Sequence, residues 1–467
     1  MKILSMILSF FIGFFSYPIS FLPENTAESF IVVHGDFTEN SVFLDGKETE
    51  ISLSGDYVIQ PDGTLDISGK ITITFDKYFN DWFNYYCVAL ESDSHIKGEI
   101  VYKAGLKEKS EDFFVEKGEN VFASYIDNCL DKVKANALIS VSFEPLENDT
   151  ASVLIKGFSL INRAVPEQEI YLENGKYKIG IDLLWGGAFS YLEDLDSNVE
   201  AVNVDGLIKV DSNASSRYSA KAVNKNVNLI NRNDTGRLIQ QSYYGTSSGG
   251  YECGEYMGNK WNYNPVQGGN QFNENSKIVD LFIDDDSVYI KCRPLDWAKS
   301  KEHITPSYME ATYSFVEDTV HVSCRFIDFS GLPETYTTQE LPAFYCVEPL
   351  NRYVYYTENG FACEPDLIFW PDAGYPNFTS VEGWSAFIGD FDDSFGIGLY
   401  CPGETNFLAG VYARGTTSQT DPSRDPATSY IALVKYMNFK SFAPFEYDFY
   451  LTTGDKNEIR SNFNYLK

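Results

Sequence analysis

Short runs in which apolar and polar residues alternate recur along most of this 467-residue chain. Residues 71–75 (ITITF), 95–103 (HIKGEIVYK), 138–143 (LISVSF) and 151–158 (ASVLIKGF) have the two-residue period that sends successive side chains to opposite faces of a β-strand. Gly, Asn, Asp and Pro separate such runs, and runs of this length with these boundaries predict antiparallel sheets packed as sandwiches. The 3.6-residue period of a long helix is missing, and only residues 456–463 predict a short one. Aromatic residues make up 16% of the chain, which suits strands and supplies flat faces with polar edges. The fold class expected is all-β.

A chain of this length exceeds the roughly 100–200 residues of one ordinary domain. The polar stretch around Asn162, Arg163, Pro166 and Glu167 breaks the alternation, which resumes at Tyr177, so a domain boundary is expected there. Three segments follow: a leader at 1–20, a first domain at 21–165 and a second at 166–467. In the first domain a long early strand, a charged turn at 107–112 (KEKSED), a short segment at 124–130 and closing strands resemble the jelly-roll β-sandwich of galactose-binding-like carbohydrate-binding modules. In the second, residues 178–191 (KIGIDLLWGGAFSY) run strand, Gly-Gly turn, strand. That phrase resembles the opening of galactose-mutarotase-like domains, and it implies a large antiparallel β-supersandwich with a sugar site.

The leader is expected from Lys2, the only charge in residues 1–20, followed by the apolar run 3–15. This is the pattern of a secretory signal peptide, and about 13 residues is shorter than the roughly 20 that span a bilayer. The expectation is a secreted protein with no integral membrane span after the leader is removed. Net charge is -31, which opposes phosphate backbones, so no nucleic-acid partner is expected. Eight cysteines without a CxxC pair, and only four histidines, give no support to a zinc site, and neither a metal nor another cofactor is expected. Fewer than four disulfides are expected, since thiols buried in a large core need no staples. A Walker loop and an H-E-x-x-H motif are both missing.

The densest polar stretch is 228–245 (NLINRNDTGRLIQQSYYG), with Asp234, Arg237, Gln240, Gln241, Tyr243 and Tyr244 close together. Residues 252–269 (ECGEYMGNKWNYNPVQGG) follow, and there Trp261 and Tyr263 alternate with Asn262 and Asn264 ahead of Gln267. Sugar sites need this mixture, because an aromatic face packs on the apolar face of a sugar ring while amides and carboxylates meet its hydroxyls. Residues 293–297 (RPLDW), 339–344 (QELPAF) and 369–375 (FWPDAGY) have the same character. Glu340, beside Leu341, Pro342 and Phe344, is expected to be partly desolvated and so shifted toward a general acid. The alternative is a buried carboxylate paired with Arg293 or Arg237. Glycosidases need a second carboxyl, for which Asp234, Glu252, Glu255 and Asp296 are candidates.

The expected site therefore has Glu340, Asp234 and Asp296 as catalytic groups, and Arg237, Gln241, Tyr244, Trp261, Asn264, Gln267 and Arg293 as substrate-binding groups. Its partner is an oligo- or polysaccharide, and the leading expectation is a glycoside hydrolase acting on a neutral glycan. Two alternatives stay open: a glycan-binding or adhesion protein that does not cleave, and a polysaccharide lyase using Tyr243 or Tyr244 as base with Arg237 neutralising a uronate. Mutarotases use two histidines and a glutamate, and neither His303 nor His321 sits in a matching motif.

Overall fold

The computed structural model describes residues 41–44, 46–75, 82–195, 228–300, 303–368, 376–389, 395–415 and 421–467. The expected leader and the 369–375 segment lie outside these residues. The chain divides into two compact units, 1–166 with 278–284, and 167–277 with 285–467. Almost every described element is a strand, so the fold is an all-β sandwich.

The first unit contains β1 (Ser41–Leu44), β2 (Lys47–Ile59), β3 (Leu65–Phe75), β4 (Tyr85–Ser92), β5 (Ile96–Ala104), β6 (Lys107–Val115), β7 (Gly118–Tyr125), β8 (Ala137–Pro145) and β9 (Thr150–Ile161). They hydrogen-bond in the order β6-β5-β8-β3-β2-β1-β9-β4-β7. Phe113 on β6 and Phe122 on β7, at the two ends of that order, stack with centroids 5.0 Å apart and planes at 18°. The two halves of the sheet therefore face one another over a shared aromatic core. The segment 107–112, expected as a charged turn, is instead the first part of β6; the turn precedes it at Gly105 and Leu106. Charges at alternate and intervening positions hid the period, and they suit a terminal strand whose open edge must resist pairing with another chain.

The second unit has two sheets. One contains β10 (Glu169–Glu173), β11 (Tyr177–Asp182), β12 (Ala188–Asp194), β13 (Ile239–Ser242), β16 (Pro265–Val266), β19 (Leu295–Asp296), β22 (Thr335–Val347), β25 (Asn377–Thr379), β28 (Asn406–Tyr412) and β29 (Thr428–Phe439). Its main order is β10-β11-β12-β13-β22-β29-β28-β25, and β16 bridges β13 to β19. The hairpin β14 (Gly254–Tyr256) and β15 (Asn259–Trp261) stands beside it. Within this unit the other sheet runs β18 (Ser287–Arg293), β20 (Ser307–Val316), β21 (Thr319–Asp328), β30 (Phe445–Gly454), β27 (Gly396–Tyr400), β26 (Trp384–Gly389), β23 (Leu350–Thr357) and β24 (Gly360–Glu364). β17 (Lys277–Ile283) lies almost wholly in the first unit.

The two sheets of the second unit pack face to face. Tyr243 stacks on Phe326 at 4.0 Å, and the Tyr313 hydroxyl donates to the Gly187 carbonyl at 2.7 Å. The expected strand, Gly-Gly turn and strand are present as β11, a short 3-10 turn (Leu183–Trp185) and β12. Gly186 and Gly187 have φ of 59° and 68°, and a Cβ on Gly186 would lie 1.9 Å from the Gln267 carbonyl oxygen, so no other residue fits there. The expected terminal helix spans Lys456–Tyr465, with Asp455 and Glu458 forming a capping box. It seats Ile459 and Phe463 against Val354, Trp384, Ala386 and Ile388. All eight cysteines are free thiols. Among the described residues no helix is long and apolar enough to cross a membrane.

Candidate functional site

The ten-stranded sheet turns one face toward the other sheet and one face away. Cross-strand pairing sorts the residues: Ile239, Phe344, Ile431 and Ala409 occupy the inner face, while Glu340, Val434, Tyr345, Tyr430 and Gly410 occupy the outer one. A β-bulge makes this arrangement possible. Glu340 pairs with Val434 and Ala343 with Ala432, so Leu341 and Pro342 together oppose Leu433. The extra residue reverses the alternation and brings Glu340 to the same face as Tyr345, five positions away.

Around Glu340 the outer face is aromatic. The hydroxyls of Tyr430 and Tyr244 both donate to Glu340 Oε2, the second at 3.4 Å. Burial pushes the Glu340 carboxyl above its ordinary range, and these two hydrogen bonds offset part of the effect. The expected alternative, an ion pair with Arg237 or Arg293, does not form; the neighbours are phenols. Glu340 as a residue is half-buried, so part of it reaches the surface of the sheet.

Tyr345 lies 4.3 Å from Tyr430, centroid to centroid, and Arg237 sits over the rings of Tyr345 and Tyr412 at 5.1 and 5.3 Å. On the other side of Glu340, Tyr244 meets the edge of Trp261 at 6.3 Å. Trp261 in turn meets Tyr256 at 5.1 Å, and Tyr256 meets Trp297 at 5.6 Å. The β14–β15 hairpin fixes this wall, turning through Met257 and Gly258, both of positive φ, as a two-residue hairpin loop requires. Glu340, Arg237, Tyr244 and Trp261 are thus linked through direct contacts.

Other expected residues serve the scaffold. Asn264, 2% exposed, accepts from the Trp261 indole at 3.0 Å and donates to Ser242 Oγ and the Tyr243 carbonyl, so it orients the tryptophan from behind. Asp296, also 2% exposed, accepts the Tyr251 hydroxyl and the Asn264 backbone N–H, and burial raises its pKa. Three inter-strand steps separate Asp296 from Glu340, through β16 and β13, or roughly 14 Å at the usual spacing. At that spacing it does not lie beside the acid.

Gln241 and Gln267, 1% and 2% exposed, lie inside the sandwich, because the alternation that sends Ser242 and Tyr244 outward sends Gln241 inward. Gln241 Nε2 donates to the Glu310 carbonyl, and Gln267 Nε2 donates to the carbonyls of Gly186 and Gly187, holding the Gly-Gly turn. Arg293 ends a strand of the other sheet, on the side opposite to buried Cys292. Asp234 lies near Arg237 and acts on it electrostatically, while its carboxylate accepts from the Gly236 N–H and the Asn233 amide. Tyr243 is fully buried and donates to Gln241, which removes it as a solvent-facing base.

Sequence reading passed over Tyr430, Tyr345 and Tyr412, and it covered Tyr256 and Trp297 only within the segments 252–269 and 293–297, not as site residues. The signal for Tyr430 was present in 428–439 (TSYIALVKYMNF), where one face reads Tyr430, Ala432, Val434, Tyr436. On that face Tyr336 and Tyr436 stack at 6.2 Å and remain 69% and 64% exposed. Tyr436 is paired across from Thr338, two residues from Glu340, and Tyr336 lies four residues away along the same strand, roughly 14 Å. An exposed aromatic pair therefore continues the surface that starts at Glu340.

No family model matches the chain, and no curated protein matches it. Solved structures similar to it include a putative aldose 1-epimerase from Escherichia coli, at 9% identity and a TM-score of 0.34, covering 61% of this chain and 98% of that one. A galactose mutarotase related enzyme from Lactobacillus acidophilus has 10% identity and a TM-score of 0.29, covering 61% and 97%. A GH36 α-galactosidase from Geobacillus stearothermophilus has 10% identity and a TM-score of 0.31, covering 62% of this chain and 40% of that one. At these values the likenesses decide nothing about this chain, and the fold rests on the strand pairing described above.

Proposed function

We propose that the outer face of the ten-stranded sheet binds a glycan chain and that Glu340 donates a proton to the departing glycosidic oxygen. The observation behind this reading is a carboxyl shifted upward by burial and held by two tyrosine hydroxyls, on a half-buried residue in a surface built of aromatic rings. A proton donor to a leaving oxygen needs a raised pKa, and burial without a neighbouring cation supplies one. Hydrolysis also requires a base for the attacking water. Asp234 fills that role on this reading, as the carboxylate whose charge acts on Arg237 and Tyr256.

The aromatic surface extends farther than one sugar ring, which favours a chain over a single sugar. Trp261→Ala is expected to weaken glycan binding by roughly 1–3 kcal/mol, the usual worth of a stacking contact. Replacing Tyr336 and Tyr436 together with alanine should weaken long oligosaccharides and leave disaccharides unchanged. Calorimetric titration with an oligosaccharide series of two to six units separates the effects. Equal losses at every length would place the tyrosine pair outside the site.

The raised Glu340 pKa also predicts a pH dependence of stability. The folded protein holds this proton more tightly than the unfolded chain, so the stabilisation is complete below the unfolded glutamate pKa of about 4.3 and is lost as pH rises through the folded value. Glu340→Gln removes that loss, while its amide oxygen still accepts the two tyrosine hydroxyls. Thermal melts should show the variant gaining on the parent protein at pH 8 and equal to it at pH 4. An advantage of the same size at both pH values would contradict a buried, ionising Glu340.

A further inference from the structure

A guanidinium taken partly out of water is ordinarily met by carboxylates or by carbonyl oxygens, because a desolvated cation without them is costly. Neighbouring arginines of the second unit follow that rule. Arg232 donates to Glu169 and Asp182, and Arg414 to the carbonyls of Leu367 and Pro365 and to Asn351. Arg237 does not. Its guanidinium rests over Tyr345 and Tyr412, and no described residue accepts a hydrogen bond from any of its nitrogens, the buried Nε, orphaned as in Arg232, included.

Asp234 is the described carboxylate whose charge acts on Arg237, yet it accepts no hydrogen bond from the guanidinium. Asp234 accepts from Asn233 and Gly236, and Glu340 accepts from Tyr430 and Tyr244. Two tyrosine faces attract the cation, but they leave its in-plane N–H donors unused. Those donors form a rigid planar fork whose best match is a carboxylate held through two parallel hydrogen bonds.

We infer that Arg237 is the seat of a carboxylate carried by the glycan, so that the sugar bound next to its guanidinium is a uronic acid. The inference rests on the outer face being a glycan site; it replaces the neutral glycan of the leading expectation with an acidic one and keeps, from the lyase alternative, the uronate at Arg237. The net charge of -31 is no obstacle at contact range, since charges farther than about 8–10 Å are largely screened at physiological salt. What counts at the site is the local arrangement, a guanidinium that meets no described hydrogen-bond acceptor although the Asp234 charge acts on it.

The test compares tetrasaccharides of galacturonate, glucuronate and mannuronate with their carboxyl-reduced, neutral counterparts, titrated against the full chain and against Arg237→Met, Arg237→Lys and Trp261→Ala. At least one acidic tetrasaccharide should bind about tenfold or more tighter than its reduced counterpart, the usual effect of a charge-assisted contact. Arg237→Met should bring the acidic ligand down to the neutral level. Arg237→Lys should keep part of the preference, because it retains the charge and loses the fork. Trp261→Ala should weaken both series alike.

Neutral ligands binding as tightly as acidic ones would overturn the inference and leave the glycan reading standing. Equal loss of both series in Arg237→Met would also overturn it, by showing a structural role. Failure of every tetrasaccharide, acidic and neutral, to bind the parent chain would remove the glycan reading and this inference with it. If Arg237→Met does not fold, the comparison on the parent chain decides the question alone.

Discussion

Replacing Glu340 with Gln is expected to lower glycan cleavage by roughly 10²- to 10⁴-fold, the range associated with loss of a positioned proton donor. The change is close to isosteric. Tyr430 and Tyr244 can donate to the amide oxygen as they do to the carboxylate, so binding should persist while turnover falls. Counting new reducing ends released by the two proteins, with binding measured in parallel, checks this directly. Cleavage at an undiminished rate would exclude Glu340 as the acid. Loss of binding together with turnover would mean that Glu340 organises the site and does not act in the chemistry.

The second large effect concerns the scaffold. Trp384→Ala should destabilise the second unit by about 3–5 kcal/mol, the usual cost of emptying a large aromatic position in a core. Trp384 is fully buried on β26, where it packs near Phe361 and Phe463, and its indole donates to Glu382 at 3.0 Å. Glu382 also holds Arg460 of the terminal helix through two hydrogen bonds, so the tryptophan sits under both the helix and its anchor. Gly398 permits this close seating, since a Cβ there would lie 2.6 Å from Ile459. Urea unfolding followed by far-ultraviolet circular dichroism should show an earlier transition for the part of the signal that belongs to the second unit. A shift below 1 kcal/mol would mean that the helix can detach without loss to the sheet beneath it.

Sequence alone revealed the strand character, the Gly-Gly turn, the terminal helix and the identity of Glu340 as an unusual carboxylate, because each depends on neighbours within a few positions. It placed Gln241 and Gln267 in the site for their chemistry, whereas their positions within the strand pairing turn both toward the core. The bulge at Leu341 and Pro342 could not be read from alternation, since a one-residue insertion in a pairing is defined by the partner strand. For the same reason Tyr345, Tyr412 and Tyr430 were missed. They come from three strands, and only the pairing shows that they share a face. Segment 107–112 failed in the opposite direction, its charges suggesting a turn where the chain builds a terminal strand.

The aromatic surface also explains why Trp261 and Glu340 can work together although neither contacts the other directly. Tyr244 stands between them, with its hydroxyl on the carboxylate and its ring against the indole, while Gln339 fixes its backbone through the N–H and the carbonyl. On the proposed reading, a ligand stacked on Trp261 would be brought toward the Glu340 carboxyl, as positioning of an acid against a leaving oxygen requires.

The most direct measurement of the central claim is a crystal structure of the Glu340→Gln protein with a bound tetrasaccharide chosen from the acidic and neutral panel. The account predicts sugar rings on the outer face of the ten-stranded sheet, one against Trp261, with a glycosidic oxygen within hydrogen-bond reach of residue 340 and the chain continuing toward Tyr436 and Tyr336. A tetrasaccharide bound in the first unit, with this face empty, would contradict it.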